Sequence, residues 1–182
     1  MQRMRLVLQP QLKQLEQQQQ QQLRVCEADI GAEYLTDLLG ACALSSVIRM
    51  EKVRVLGGCL LGFLQTLNPK TLVKTLSNYT RCMQAEADSK GGINITTEDR
   101  HFTRCIVQQL LSCTDNSALA AGMNNRETLK TLNPNDITLL LKACDRLSIE
   151  APELLQHIGV ISLKKQNNFT PDAWATVVSG KP

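Results

Sequence analysis

The chain has 182 residues, is 43% hydrophobic, carries a formal net charge of +3 and contains three Phe, two Tyr and one Trp. A core rich in Leu, Val, Ile and Ala but poor in rings argues for packed helices over a β-sandwich. The small charge excludes the overall basicity that by itself marks a nucleic-acid binder, so any such reading must rest on where the charges sit.

The seven cysteines, Cys26, Cys42, Cys59, Cys82, Cys105, Cys113 and Cys144, form no C-x-x-C pair, and His101 and His157 stand apart from one another. No zinc ligand set follows from these spacings, and an odd count in a chain of this length argues against a secreted disulfide scaffold. They are expected to be small apolar residues inside helices, in a reducing compartment. Asn78-Tyr79-Thr80, Asn94-Ile95-Thr96 and Asn168-Phe169-Thr170 match the glycosylation pattern; with no secretory signal in view they are read as coincidence.

In chain order, residues 1–26 form a Gln-rich basic leader or tether. Arg3, Arg5 and Lys13 precede the first acid, Glu16, and Leu6, Val7 and Leu8 lie among them. Such a start fits an organelle-import presequence, although it lacks the usual serines and contains Pro10; a disordered basic tail is the alternative. The Gln17–Gln22 run leaves the following stretch open between an extended helix and disorder.

Residues 27–182 are expected to form an all-α domain. Thr66-Leu67-Asn68-Pro69 returns as Thr131-Leu132-Asn133-Pro134, and a weaker copy, Asn168-Phe169-Thr170-Pro171, follows 37 residues later. Leu35 to Cys42 aligns without a gap on Ile137 to Cys144. A period in the 30s is the mark of stacked helical hairpins, a short helical-hairpin repeat array or α-solenoid. The units fall near residues 32–68, 69–96, 97–133 and 134–170, with a partial unit at 171–182.

The first hairpin uses Ala32 to Leu44 and Val47 to Leu67. The apolar stretch Val55 to Leu64 is too short to cross a bilayer and reads as a buried helix, with Gly58 and Gly62 placed to admit a close neighbour. Asn68-Pro69 opens the next helix, since Asn caps and Pro at the first helical position loses no hydrogen bond. Leu72, Val73, Leu76, Tyr79 and Met83 then recur at helical spacing. Ser89 to Gly92 is a loop. Thr97-Glu98-Asp99 starts a helix with Phe102, Ile106, Leu110 and Leu111 inward; this is a degenerate unit or the second helix of the hairpin begun at Asn68. A break spans Asp115-Asn116-Ser117 and Gly122 to Asn125, before Arg126 to Leu132. Asn133-Pro134 opens a helix to Leu147, Ala151-Pro152-Glu153 a shorter one to Ile161, and Thr170-Pro171 a last one. Its apolar residues Trp174, Val177 and Val178 are expected to meet the preceding hairpin or another subunit.

Asn133-Pro134-Asn135-Asp136-Ile137, Leu140 to Leu147 and Ala151-Pro152-Glu153-Leu154-Leu155 together resemble the repeat of the octotricopeptide and heptatricopeptide proteins and the related FAST-kinase-like repeats of organelles. The likeness covers Asn133 to Gly159 best, extends to Asn68–Met83 and Ala32–Leu44, and fails over residues 97–125. It implies a mitochondrial protein that holds single-stranded organelle RNA or scaffolds the machine that processes, edits or translates it; a cytoplasmic location is the alternative. The nuclease-like domain of many members has no counterpart among these residues, so the resemblance implies no catalysis.

Basic residues repeat four apart on the expected helices: Lys70 and Lys74, Arg100 and Arg104, Arg126 and Lys130, Lys142 and Arg146, with Arg81 a further turn along the first face. Stacked helices could align them into a stripe that follows a phosphate backbone, with Asn68, Asn78, Asn133 and Asn135 positioning bases. Ordinary solvated helix faces are the plainer reading. Tyr79, Phe102 and Trp174 occupy apolar positions and are read as core, which leaves little stacking capacity. No phosphate loop, carboxylate pair or nucleophile elbow marks an enzyme, and no cofactor, metal, membrane or small-molecule substrate is expected. The expected partners are RNA and other protein subunits; the alternative is a protein-binding scaffold or adaptor without RNA contact.

Overall fold

The computed structural model describes residues 31–45, 49–92, 94–114 and 128–179, and the expectations for the leader, the break after Thr114 and Arg126 lie outside them. Local capping chemistry explains most of the helix starts. Asn68 accepts the Thr71 N–H at 2.8 Å ahead of Pro69. Asn133 and Asp136 form a reciprocal capping box ahead of Pro134, each bond 2.9 Å. Thr170 accepts weakly from the Ala173 N–H at 3.3 Å ahead of Pro171.

A hydrophobic staple accompanies each of these three corners. Leu67 and Leu72, and likewise Leu132 and Ile137, stand just before the cap and four residues after it, all buried. At the third corner the same two positions hold Phe169 and Trp174, whose rings meet edge-on at 5.5 Å. Trp174 therefore fastens the entry to its own helix.

Seven α-helices and no strands are found among the described residues: α1 (31–44), α2 (Met50–Leu61), α3 (Pro69–Lys90), α4 (Thr97–Ser112), α5 (Pro134–Arg146), α6 (Pro152–Lys164) and α7 (Pro171–Ser179). The fold is all-α. None of these helices is long and apolar enough to cross a membrane. Arg126 to Leu132 does not continue as an α-helix through its described part: Leu129–Thr131 is a single 3-10 turn. Lys165 clamps that turn to the end of α6 by donating to the Lys130 and Leu132 carbonyls, each at 2.6 Å.

Contacts run between helices adjacent in the chain and between helices two places apart. The most extensive is α3 with α5, followed by α5 with α7; α2 meets α4 and α4 meets α6, while α3 also meets α2 and α4. Polar links join α1 to α3, as Thr36 Oγ1 lies 3.1 Å from Thr75 Oγ1 and Lys74 Nζ donates to Asp37 at 2.7 Å. The odd-numbered helices thus form one layer and the even-numbered helices the other. In this arrangement α4 lies beside α2 and α6, as the helix that follows α3 back.

Buried along most of its length, α3 is wrapped by both layers, and Leu72, Val73, Leu76, Tyr79, Cys82 and Met83 enter the core. Two close approaches depend on glycine, and they are not the pair singled out by spacing. A Cβ on Gly57 would stand 3.3 Å from the Tyr79 ring, and one on Gly40 would stand 2.9 Å from Asn78 Nδ2. Gly58 and Gly62 meet no other helix closely. The Val55–Leu64 stretch is likewise only half buried, for Val55 is 67% exposed while Leu60 and Leu64 are inside.

The α5–α6 turn carries one strained residue, Ser148, at φ 48°. The Ile149 N–H reaches the Cys144 carbonyl at 2.8 Å across it, closing the helix end in the way glycine usually permits. A left-handed L-residue costs roughly 1–2 kcal/mol, and glycine's greater freedom when unfolded returns part of that. Ser148→Gly is expected to stabilise by about 0.5–1 kcal/mol, measured as an upward shift of the urea midpoint at unchanged slope.

Candidate nucleic-acid interface

α3 reaches solvent along a narrow stripe that includes Lys70, Lys74 and Arg81, since its other faces meet α1, α2, α4 and α5. On α5 the exposed positions are Asn135, Leu139, Asp145 and Arg146, with Lys142 half-buried. The two stripes correspond with a constant offset of 65 residues: Lys70 with Asn135, Lys74 with Leu139, Ser77 with Lys142, Arg81 with Arg146. The same register one helix earlier, offset by 37, sets Glu33 against Lys70 and Asp37 against Lys74. The Asp37–Lys74 ion pair, at 2.7 Å, places this one pair of corresponding positions of α1 and α3 side by side.

That register divides the stripe electrically. Toward the helix starts, α1 offers Glu33 and Asp37, and Asp37 engages Lys74. Toward the helix ends, Arg81 and Arg146 occupy corresponding positions of α3 and α5, with Lys142 one turn before Arg146, and α1 has only uncharged Gly40 and Leu44 at the matching positions. Among the described residues Arg81 and Arg146 make no ion pair, which leaves both guanidinium groups available to an outside anion. Helix axes in such a layer sit about 8–10 Å apart, well within reach of two long side chains.

The remaining basic residues are elsewhere. Arg100 and Arg104 belong to the other layer and line a groove with Thr103, Val107 and the turn Leu147 to Glu150. Lys130 sits at an apolar pocket of about 360 Å³ beside His157, Val160 and Ile161. Of the nine predicted residues, Lys70, Lys74, Arg81, Lys142 and Arg146 thus stand on α3 and α5, which pack together, while Arg100 and Arg104 stand on α4 and Lys130 on the 3-10 turn. Of the predicted docking residues, Trp174 is engaged with Phe169 and Val177 packs on the core, while Val178 is 71% exposed. Asn78 is buried and unavailable to a base; Asn68, Asn133 and Asn135 are exposed, the first two occupied as caps.

Comparison of the chain with protein-family models, with curated proteins and with solved structures gives no match.

The most elaborate polar cluster is one that motif and spacing do not disclose. Asp99, fully buried at the third position of α4, accepts five hydrogen bonds. Arg54 of α2 forks onto both oxygens at 3.0 Å, the Tyr79 hydroxyl of α3 donates at 2.5 Å, and the Thr96 N–H and hydroxyl complete the set. Burial alone would raise the Asp99 pKa, but the Arg54 fork and the Tyr79 and Thr96 donors outweigh it and hold the carboxyl below its usual range. Burial first, and then donation to Asp99, pushes the Tyr79 hydroxyl far up. Its ring lies 4.7 Å from that of Phe102, and both rings rest against Gly57. One carboxylate thus ties three helices from both layers at the point where α4 begins.

Two sequence signals bear on this cluster. Thr96-x-x-Asp99 is a capping-box pattern, and Arg54 is a lone charge within the apolar run Val53 to Leu56. Neither signal reveals that the two meet. Of the six described cysteines, Cys82, Cys113 and Cys144 are buried, Cys42 and Cys105 half-buried and Cys59 exposed, all as free thiols. Burial pushes Cys82 up to about 12 and Cys144 up to about 11, which keeps both thiols protonated.

Proposed function

We propose that the chain is a non-catalytic helical-repeat subunit of a mitochondrial RNA-processing or RNA-editing ribonucleoprotein assembly, which binds RNA weakly through one layer and other subunits through its remaining surfaces. The array reading draws support from the main contacts among the described helices, which join helices one and two places apart, and from the three capped, stapled corners, all on odd-numbered helices. In this reading the hairpins are α1–α2, α3–α4 and α5–α6, with α7 opening a fourth.

The single observation that carries the RNA reading is that Arg81 and Arg146 are both exposed at corresponding positions of two helices that pack together, with no ion pair to either among the described residues. A flat cationic face without stacking rings suits a phosphate backbone and gives little base discrimination. Placement in the mitochondrion rests on the basic leader and on the repeat resemblance. Charge reversal at Lys70, Lys74, Lys142 and Arg146 is expected to abolish ultraviolet cross-linking to RNA in the native assembly; cross-linking that persists unchanged refutes this face.

One observation favours a protein-binding scaffold instead. Tyr34, Leu38 and Leu44 are exposed on α1, beside the acids that neutralise part of the stripe. A peptide or helix laid across α1 and α3 would use both features. Pull-downs repeated after nuclease digestion separate the readings: partners lost on digestion support the RNA role, and partners that all survive support the scaffold.

A further inference from the structure

The geometry points to a second site, on the even-numbered layer: a His101–Cys105 chelate for a soft divalent ion of the zinc and cadmium class. The two residues stand one turn apart on the solvent side of α4, with His101 Nε2 and Cys105 Sγ separated by 3.8 Å. Two neighbouring ligands of a tetrahedral ion, with metal–sulfur near 2.3 Å and metal–nitrogen near 2.0–2.1 Å, must lie about 3.5 Å apart. The observed spacing reaches that with a small side-chain rotation. Helical fixation of both ligands means that little order has to be imposed on binding.

The surroundings fit an occupied site. His101 and Cys105 line an open depression of about 330 Å³ together with Leu61, Leu64, Gln65, Gln108 and Gln109. Of these lining residues, Gln109 has its Nε2 buried without a hydrogen-bond partner. Orphaned buried donors are rare and call for an explanation. A water or anion held in the open coordination positions would supply the missing acceptor, in the manner of an outer-shell partner. The apolar wall lowers the local dielectric and strengthens the ion–thiolate bond.

The donor set selects the ion. One imidazole nitrogen and one sulfur suit zinc or cadmium and repel magnesium and calcium, which require oxygen. As the metal–sulfur bond forms, the Cys105 S–H bond breaks and its proton leaves to solvent. Neutral His101 contributes the Nε2 lone pair and keeps its proton on Nδ1. Two protein ligands leave two positions for water. Among the described residues no group of three or more His, Cys, Asp or Glu could hold an ion, so the site is a two-ligand chelate and not a closed structural centre.

The test is a cadmium titration of the full, reduced chain, followed by thiolate-to-cadmium absorption in the ultraviolet. The native chain and Cys59→Ser are expected to take up cadmium equally, with zinc displacing it and magnesium failing to. His101→Gln leaves all seven cysteines in place and alters an exposed side chain, so its helical circular dichroism should match the native chain. Both His101→Gln and Cys105→Ser should weaken the tightest binding by at least the roughly 10–100-fold that even an outer-shell partner commands. Unchanged affinity in His101→Gln would assign the binding to another thiol and overturn the chelate, as would equal displacement by magnesium.

Discussion

Asp99→Ala is expected to destabilise the protein by about 3–5 kcal/mol, the cost of leaving one member of a buried charge pair without the other. The substitution strands Arg54, whose side chain is only 20% exposed, removes the acceptor of the Tyr79 hydroxyl and dismantles the capping box of α4. Domains of this size are stable by about 5–15 kcal/mol, so the loss amounts to a large fraction of the total and a fall in Tm on the order of 10 °C. Tyr79→Phe removes a single donor and should cost about 1 kcal/mol. Thermal melts of the two variants therefore rank the cluster's members. The pH dependence has a definite sign. Asp99 is held below its unfolded value of about 3.9, so its contribution is fully present above that value and is lost as pH falls through the folded pKa. Asp99→Asn should flatten the acid limb of the stability curve; an unchanged limb would show that other carboxylates govern acid unfolding.

The second large effect concerns RNA. Arg81→Glu combined with Arg146→Glu is expected to weaken binding to a single-stranded RNA and to make its salt dependence shallower by about 1.4, at roughly 0.7 for each phosphate no longer neutralised. Lys74→Glu should do much less, because Lys74 already faces Asp37 at 2.7 Å. The expected response is thus a ranking within one face, not a uniform fall with total charge. Both arginines are exposed, so the double variant should melt with the native chain. Equal responses from all basic positions would mean diffuse attraction with no built register.

What the chain reveals on reading divides by distance along it. The corners at Asn68, Asn133 and Thr170 are legible because capping spans three residues and stapling five, so cap, proline and apolar flank stand together in the sequence. The inward set Phe102, Ile106 and Leu110 is legible for the same reason, since helical period is local. The Asp99 cluster is not, because Arg54 and Tyr79 lie 45 and 20 residues away and nothing in their own neighbourhoods fixes where they point. Gly57 is hidden behind the more conspicuous spacing of Gly58 and Gly62, because glycine spacing says nothing about which side of α2 faces Tyr79. The basic pairs illustrate the limit most clearly. Spacing of four puts Arg100 beside Arg104 as surely as Lys142 beside Arg146, yet the alternation of layers sends the two pairs to different surfaces. His101 and Cys105 carry a readable signal, one helical turn apart, that only their separation in space turns into chemistry.

Short-range connectivity has a kinetic corollary. Most close residue pairs of this chain are local to its helices, which predicts a fast, low-contact-order route. Its ends can also open independently of its middle. Because α3 meets α1, α2, α4 and α5, amide exchange there should track global unfolding, while α7, held chiefly by α5 and one aromatic staple, should fray first and leave the rest of the molecule standing.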